Sequence, residues 1–295
     1  MKKTSVNNLE YLDISPAINA MQVPNTPFLS YLIGAGKTSP ANSSEIKWRE
    51  YDINSDDSSE QPEGGEYPDA ESGRTWYSNY EEIFRKSTSV SGTLDAINVD
   101  GIGNELTNQV KLRGMEMKID LNRKLITGVK TDETGSVGRK MNGILNLINS
   151  GNKVETAAAG AVTRKDIDKL FYAMYTKGYM GEKLCLVSPD MQDLMTDEVD
   201  GKSTKIAQFG DTVAFGLQLG KIVSNYGSGI ALIEPALPTG TIAALDTNYV
   251  QLRPLREWRA AELAKTSDSR RIGIVGEYSL EYNASNSGAI LNLKA

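Results

Sequence analysis

"NSDDSSEQPEGGEYPDAESG", residues 54–73, holds seven acids, no base, two prolines and three glycines. A stretch so polar and so broken cannot bury enough apolar surface to fold by itself. Its meaning is set by what flanks it. Before it, "EIKWREYDI" (45–53) alternates as a strand does, with Ile46, Trp48 and Tyr51 as its larger packing side chains. After it, "YEEIFRKSTSV" (80–90) resumes strand character through Ile83, Thr88 and Val90. Two strands joined by a long acidic tip predict a protruding hairpin. Within the tip, Asp52, Asn54, Asp56 and Glu63 fall at positions 1, 3, 5 and 12 of a calcium-loop spacing, but position 6, where the sharp turn needs glycine, is Asp57. Strands rather than helices flank it, so a solvated acidic loop is the better reading.

Toward the N-terminus lies "GAGKTSP" (34–40), whose Gly36, Lys37 and Thr38 imitate the end of a phosphate-binding loop. The full motif needs a first glycine where Tyr31 stands, and a buried strand before it. The order here is reversed. Thr26 and Pro27 read as N-cap and first helical residue, Leu29, Leu32 and Ile33 recur at helical spacing, and Gly34 is placed to end the helix. An NTPase is therefore set aside.

Toward the C-terminus, "GIGNEL" (101–106) opens like a dinucleotide fingerprint, but Leu106 occupies the third glycine position and no buried strand precedes it. It reads instead as the start of a long helix from Asn104 to about Ile126, with Leu106, Val110, Met117, Leu121 and Leu125 as its apolar stripe. At 1.5 Å per residue such a helix is about 35 Å long. A glycine-rich turn region and an alanine-rich linker follow. Thr163 and Asp166 then start a helix in the manner of a capping box, Ile167, Leu170, Phe171, Met174 and Tyr175 form its buried face, and Gly178 closes it. A strand at 183–187 and a helix opened by Ser188 and Pro189 come next. The remainder is mostly strand: "KIVSNY", "GIALIE", "TIAALD", "YVQLRPL", "RIGIVGEYSLEYN" and "AILNL". Pattern alone gives an α+β chain with a projecting hairpin.

Composition excludes whole classes of chemistry. The 295 residues contain no histidine, which removes Ser/His/Asp, Cys/His and His-based zinc sites. The one cysteine, Cys185, cannot form an intramolecular disulfide and reads as a small buried hydrophobe. A net charge of −6 argues against a sequence-reading nucleic-acid binder without forbidding the enclosure of nucleic acid. No run reaches the roughly 18 apolar residues of a membrane span, and "MKKTSVNNLEYL" lacks the apolar core of a secretory signal. No cofactor is expected, and no catalytic residue or metal ligand is singled out.

The order of these parts resembles the major capsid proteins of tailed bacteriophages, the HK-ninety-seven-type fold. Four separated stretches, "TPFLSYLIGAG" (26–36), "FRKSTSVSGTLDAINVDGIGNEL" (84–106), "GRKMNGIL" (138–145) and "LAKTSDSRRIGIVGEYSLE" (263–281), look like signatures of its SU-ten-type branch. The resemblance implies an N-terminal arm (1–44), an E-loop hairpin (45–91), a P-domain with a spine helix (92–153), an axial A-domain (154–245) and return strands that finish both domains (246–295). It implies a non-enzymatic subunit that forms pentamers and hexamers of an icosahedral head. Such a shell would enclose double-stranded DNA without reading its sequence and would meet a portal and scaffold or decoration proteins. It would be built in the host cytoplasm, away from membranes.

Under that resemblance the acids Asp56, Asp57, Glu60, Glu63 and Glu66 are expected to meet a neighbour's bases, drawn from Arg74, Arg85, Lys86, Arg253, Arg256, Arg259, Arg270 and Arg271. No lysine occurs between Lys47 and Lys86, so the Lys–Asn isopeptide welds of some family members are not expected at the tip. No helical scaffolding extension is expected either. An encapsulin-like nanocompartment shell fits the same chemistry. A carboxylate-based enzyme or a calcium-binding adhesin built on residues 52–63 is the reading from a different class.

Overall fold

A computed structural model of the chain describes residues 25–51, 53, 62–65, 72–96, 105–202, 207–214, 217–264 and 268–294. Of the calcium-like spacing only Glu63 falls among them; Asp52, Asn54, Asp56 and Asp57 lie outside the described residues. The chain forms two compact units. The larger comprises Thr26–Ile83, Leu121–Arg256 and Glu277–Ala295; the smaller includes Phe84–Asp120 and Glu257–Gly276.

In the larger unit, helix α1 (Pro27–Gly34) begins with proline at its first turn, where a missing N–H costs nothing. Its end corrects the expectation for Gly34, which is the last helical residue. The left-handed position falls at Gly36, with φ +67°. There the Gly36 N–H donates to Ile33 O at 3.1 Å and the Lys37 N–H to Leu32 O at 2.9 Å, the paired bonds of a Schellman turn. Ser39 and Ala41 then donate to Leu252 O and Pro254 O. The glycine and lysine of "GAGKTSP" thus close a helix and lead into strand-like pairing, with no loop that could wrap a phosphate.

The hairpin expected around the acidic stretch is present, but its second strand is not the expected one. Strand β1 (Glu45–Tyr51) pairs antiparallel with β2 (Arg74–Tyr80), from Glu45↔Tyr80 out to Tyr51↔Arg74. The expected partner 80–90 is instead β3 (Glu82–Ser91), which joins a separate sheet of order β10–β11–β3, where β10 is Val250–Glu262 and β11 is Ser269–Tyr282. Both runs are strand-forming, and only pairing distinguishes them. A short helix, α2 (Gly92–Ala96), follows β3.

Helix α3 (Glu105–Thr127) carries the expected stripe, with Leu106, Met117, Leu121 and Leu125 buried and Val110 partly so. Its end is fixed by close approach. The Gly143 N–H donates to Gly128 O at 2.9 Å, and a Cβ on Gly143 would lie 2.4 Å from Ile126 O while one on Gly128 would lie 2.5 Å from Lys124 O. Only glycine at both positions lets the chain fold back to α4 (Ile144–Leu147).

The alanine-rich segment expected to be a linker is strand β4 (Lys153–Ala159). It pairs in parallel with β12 (Ala289–Lys294), the last strand of the chain. Alanine is poor in strands by itself, and the partner decides. The full sheet runs β4–β12–β9–β5–β8–β7–β6, with β5 Glu182–Val187, β6 Ala207–Ala214, β7 Leu217–Ser224, β8 Gly227–Ile233 and β9 Thr241–Leu245. Helix α5 (Arg164–Tyr175) lays Ile167, Leu170, Phe171 and Met174 against one face. Met191 and Met195 of α6 (Pro189–Lys202) complete that core around Cys185, Val187, Ile222 and Ala231. The start of α5 is tied by Asp166, which accepts from the Thr163 N–H at 3.1 Å and from its hydroxyl at 2.7 Å.

A buried knot joins α1, α3 and the end of β8. Glu234, fully buried, accepts from the Phe28 N–H at 2.9 Å, the Asn122 amide at 2.9 Å and the Ala236 N–H at 3.1 Å. Asn122 in turn accepts from the Leu29 N–H at 3.0 Å. The first N–H groups of α1 have no helical partner, and this carboxylate and amide supply one.

In the smaller unit, Phe84 meets Trp258 edge to face at 6.1 Å between ring centroids. Lys86 lies between Glu116 (3.0 Å) and Asp120 (3.1 Å) of α3, and Arg113 also pairs with Glu116.

Candidate functional site

Alternation splits the hairpin into two faces. Ile46 and Trp48 point inward, are buried and pack with Ala41, Tyr77, Leu147 and Leu255. Arg49 and Tyr51 point outward, and the register sets them opposite Trp76 and Arg74. Each cross-strand pair joins a guanidinium to a ring: Arg49 lies 4.5 Å from the Trp76 centroid and Arg74 5.5 Å from that of Tyr51. Trp76 is 62% exposed and Tyr51 58% exposed, which corrects the expectation that Tyr51 packs inward. Tryptophan, tyrosine and arginine are the types that dominate protein interfaces, so an open face built from them is the kind that a partner covers.

The root of the hairpin is bound tightly to the rest of the larger unit. Asn79, fully buried, donates to Asn142 O and Leu280 O at 3.0 and 2.7 Å and accepts from the Asn142 N–H at 2.7 Å. Glu50 accepts from the Ser285 N–H at 3.0 Å and its hydroxyl at 2.6 Å. Lys130 donates to Ser78 O and Oγ and sits 4.3 Å from the Tyr80 ring centroid. Between β2 and β3, Glu81 donates its N–H to Ser44 O at 3.0 Å and its carbonyl accepts from Arg139 Nε at 2.6 Å. The Glu82 carboxylate accepts from the Met141 N–H at 3.1 Å, and burial still raises its pKa above the ordinary carboxylate value. These anchors hold in place a ribbon that would be marginal alone in water.

Of the expected contact acids, Asp56, Asp57, Glu60 and Glu66 lie outside the described residues, and Glu63 is exposed beside the turn in which Gly65 N–H donates to Pro62 O. The expected bases divide. Lys86 is held by Glu116 and Asp120, Arg253 by Glu281 at 3.2 Å, Arg256 by Glu277, and Arg270 by Glu262 at 3.3 Å. Arg74 lies on the outward face of the hairpin with Tyr51. Arg85, Arg259 and Arg271 have no ionic partner among the described residues. Because Phe84 and Trp258 meet on one face of the three-stranded sheet, alternation puts Arg85 and Arg259 on the other. The Leu263 N–H donates to Arg271 O at 2.8 Å, which brings Arg271 to that same face. Sequence reading missed Arg49 and Trp76, which become a pair only through register. It missed Asn79, Glu81 and Lys130 for the same kind of reason: nothing local marks a polar residue as buried.

The reactive inventory is otherwise poor. Among the described residues no group of three acids or cysteines is arranged to hold a metal ion, and no helix is long and apolar enough to cross a membrane. Burial pushes the Cys185 thiol up to about 12, far from a reactive thiolate.

A seven-stranded mixed sheet, a long helix, a separate three-stranded sheet and an anchored hairpin with an interface-like outer face define a capsid-forming shell subunit of the HK-ninety-seven type. The family model of the SU10 major capsid protein matches residues 1–294, and the chain belongs to that family. Solved structures of similar fold include the holo-SrpI encapsulin complex of Synechococcus elongatus (13% identity, 99% of this chain and 95% of that one, TM-score 0.65). They also include the capsid of a native GTA particle (11%, 99% of each chain, TM-score 0.67) and Mycobacterium phage Adephagia (12%, 100% and 98%, TM-score 0.62). At these identities the likeness is one of fold. No curated protein sequence matches the chain.

Proposed function

We propose that this major capsid protein builds the pentamers and hexamers of an icosahedral phage head around double-stranded DNA, and that its hairpin is the clamp between subunits. The observation that carries the clamp is the outer face of the hairpin, where Trp76 and Tyr51 are more than half exposed and each carries an arginine across the ribbon. Such a face is costly to leave in water and gains when a second copy covers it. Residues 45–80 then act as the E-loop and α3 as the spine helix, and the seven-stranded sheet with α5 and α6 as the axial domain. The tip acids Asp56, Asp57, Glu60, Glu63 and Glu66 of one copy meet Arg85, Arg259 and Arg271 of another, since Lys86, Arg253, Arg256 and Arg270 already pair with acids of their own chain and Arg74 stacks on Tyr51. Portal, scaffold and decoration proteins are further partners, and assembly takes place in the host cytoplasm.

Electron microscopy of the purified protein tests the reading, with Trp76→Ala alongside the wild type. Closed shells are expected from the wild type. The variant is expected to keep its stability within roughly 0.5 kcal/mol, as exposed substitutions do, and to lose closed shells. Wild-type protein that stays monomeric at high concentration would remove the shell reading; shells unchanged by Trp76→Ala would remove the clamp alone. Native particles filled with protein cargo in place of DNA would favour the encapsulin alternative.

A further inference from the structure

We propose that Glu81 is a proton-operated latch at the root of the hairpin: while it holds its proton the root stays seated on its anchors, and when it ionises the root loosens. Glu81 is the one residue between β2 and β3, and its N–H bonds to Ser44, the residue before β1, so both chain crossings at the root of the hairpin meet there. Its side chain is fully buried, and neither carboxylate oxygen has a hydrogen-bond partner among the described residues. Yet its own peptide carries two of the anchors, the N–H to Ser44 O and the carbonyl to Arg139. A buried orphan carboxyl placed between two structural hydrogen bonds calls for an explanation.

The charged groups around it come from each neighbouring element. Strand β11 presents Glu277 and Glu281, β10 presents Arg253 and Arg256, the segment after α3 presents Arg139, and β3 presents Glu82, which faces Lys124 of α3 at 3.9 Å. The arginines are already engaged. Arg253 pairs with Glu281, Arg256 with Glu277, and Arg139 with Glu277 at 3.4 Å and Glu133 at 3.7 Å. Each of these arginines is turned toward another carboxylate, Arg139 and Arg256 sharing Glu277, so an ionised Glu81 would be buried with no direct ion-pair partner among the described residues. Burial and the nearby Glu277 carboxylate, against the weaker pull of Arg253 and Arg139, raise the Glu81 pKa from 4.5 to about 8.

The direction of the effect follows. With the root closed the proton is held up to about pH 8; with the root open the carboxyl titrates near 4.5. The closed form binds the proton more tightly, so closure is favoured at low pH and is progressively lost as pH rises between those values. Opening should increase roughly tenfold per pH unit across that window and level off above it.

Hydrogen–deuterium exchange of residues 74–83 in the full-length subunit, from about pH 6 to 9.5, reads the latch directly and needs no assembly. Glu81→Gln, measured at each pH, cancels the intrinsic base catalysis of exchange. The expected result is a ratio of wild-type to variant opening that climbs about tenfold per unit up to pH 8 and then flattens. A ratio independent of pH overturns the proposal. Infrared difference spectra give a second readout: a protonated carboxyl that disappears between about pH 7 and 9 in the wild type and is missing from Glu81→Gln is expected, and its lack in the wild type or its persistence in the variant overturns the proposal equally.

Discussion

At the residue scale, the lysine that imitates a phosphate loop illustrates how a motif loses its meaning in context. Gly36 is required because the Schellman turn needs a left-handed residue there, and a Cβ at that position would meet nothing within 4 Å. Gly36→Ala is therefore expected to lower stability by about 1 kcal/mol through backbone conformation alone, measured by urea unfolding. Lys37→Ala is expected to change stability by less than roughly 0.5 kcal/mol, and calorimetry should find no ATP binding to either protein. Glu234 is a different case, since three donors depend on one buried carboxylate. Glu234→Ala strands them and should cost on the order of 3 kcal/mol, whereas a loss under about 1 kcal/mol in the same unfolding experiment would show that water replaces the carboxylate. None of this was legible locally. "ALIEPAL" reads as the end of a strand, and only the fold brings Phe28, Asn122 and Glu234 together.

At the element scale, the hairpin combines a firmly anchored root with a tip segment whose sequence, with seven acids in residues 54–73, offers almost no apolar side chain to bury. Replacing residues 54–73 with a short Gly-Ser turn should leave the melting transition of the subunit cooperative and nearly unshifted. Under the clamp proposal the same change should suppress closure, because a loss of about 1 to 2 kcal/mol per contact, the worth of a few hydrogen bonds, is repeated at every interface. Electron microscopy should then show subunits, capsomers or irregular sheets. Normal closed shells of normal salt tolerance would reduce the tip to decoration. The helices of this chain were readable because an apolar stripe and its caps are written within one segment. Strand partners were not: β2 and β3 are separated by Glu81 alone, and either could have paired with β1.

At the scale of the whole molecule, the chain must hold a shell together through noncovalent contacts if the hairpin is its clamp, since no lysine lies between Lys47 and Lys86 to form an isopeptide there. Particles boiled in detergent should run as a single band near 32.1 kDa. A ladder of covalent multimers would place a crosslink at a lysine outside the hairpin. Among the bases expected to bridge subunits, the tertiary structure commits Lys86, Arg253, Arg256 and Arg270 to acids of their own chain. It leaves Arg85, Arg259 and Arg271 on one face of one sheet, a sorting that depends on which residues alternate in and which out.

By itself the sequence determined the mixed fold class, the long helix, the α5 segment and its caps, and the position of the acidic tip. Each depends on periodicity, on turn residues or on net charge within a short window. The absence of histidine likewise excluded whole chemistries without reference to any contact. Only the tertiary structure decided that Arg74–Tyr80 is the hairpin's second strand, that the alanine-rich stretch is an edge strand beside the C-terminal one, and that the Glu81 carboxyl lies buried without a hydrogen-bond partner among the described residues. Those outcomes turn on hydrogen-bond register and desolvation between segments more than 200 residues apart, such as Asn79 and Leu280, and such long-range pairing leaves no local trace.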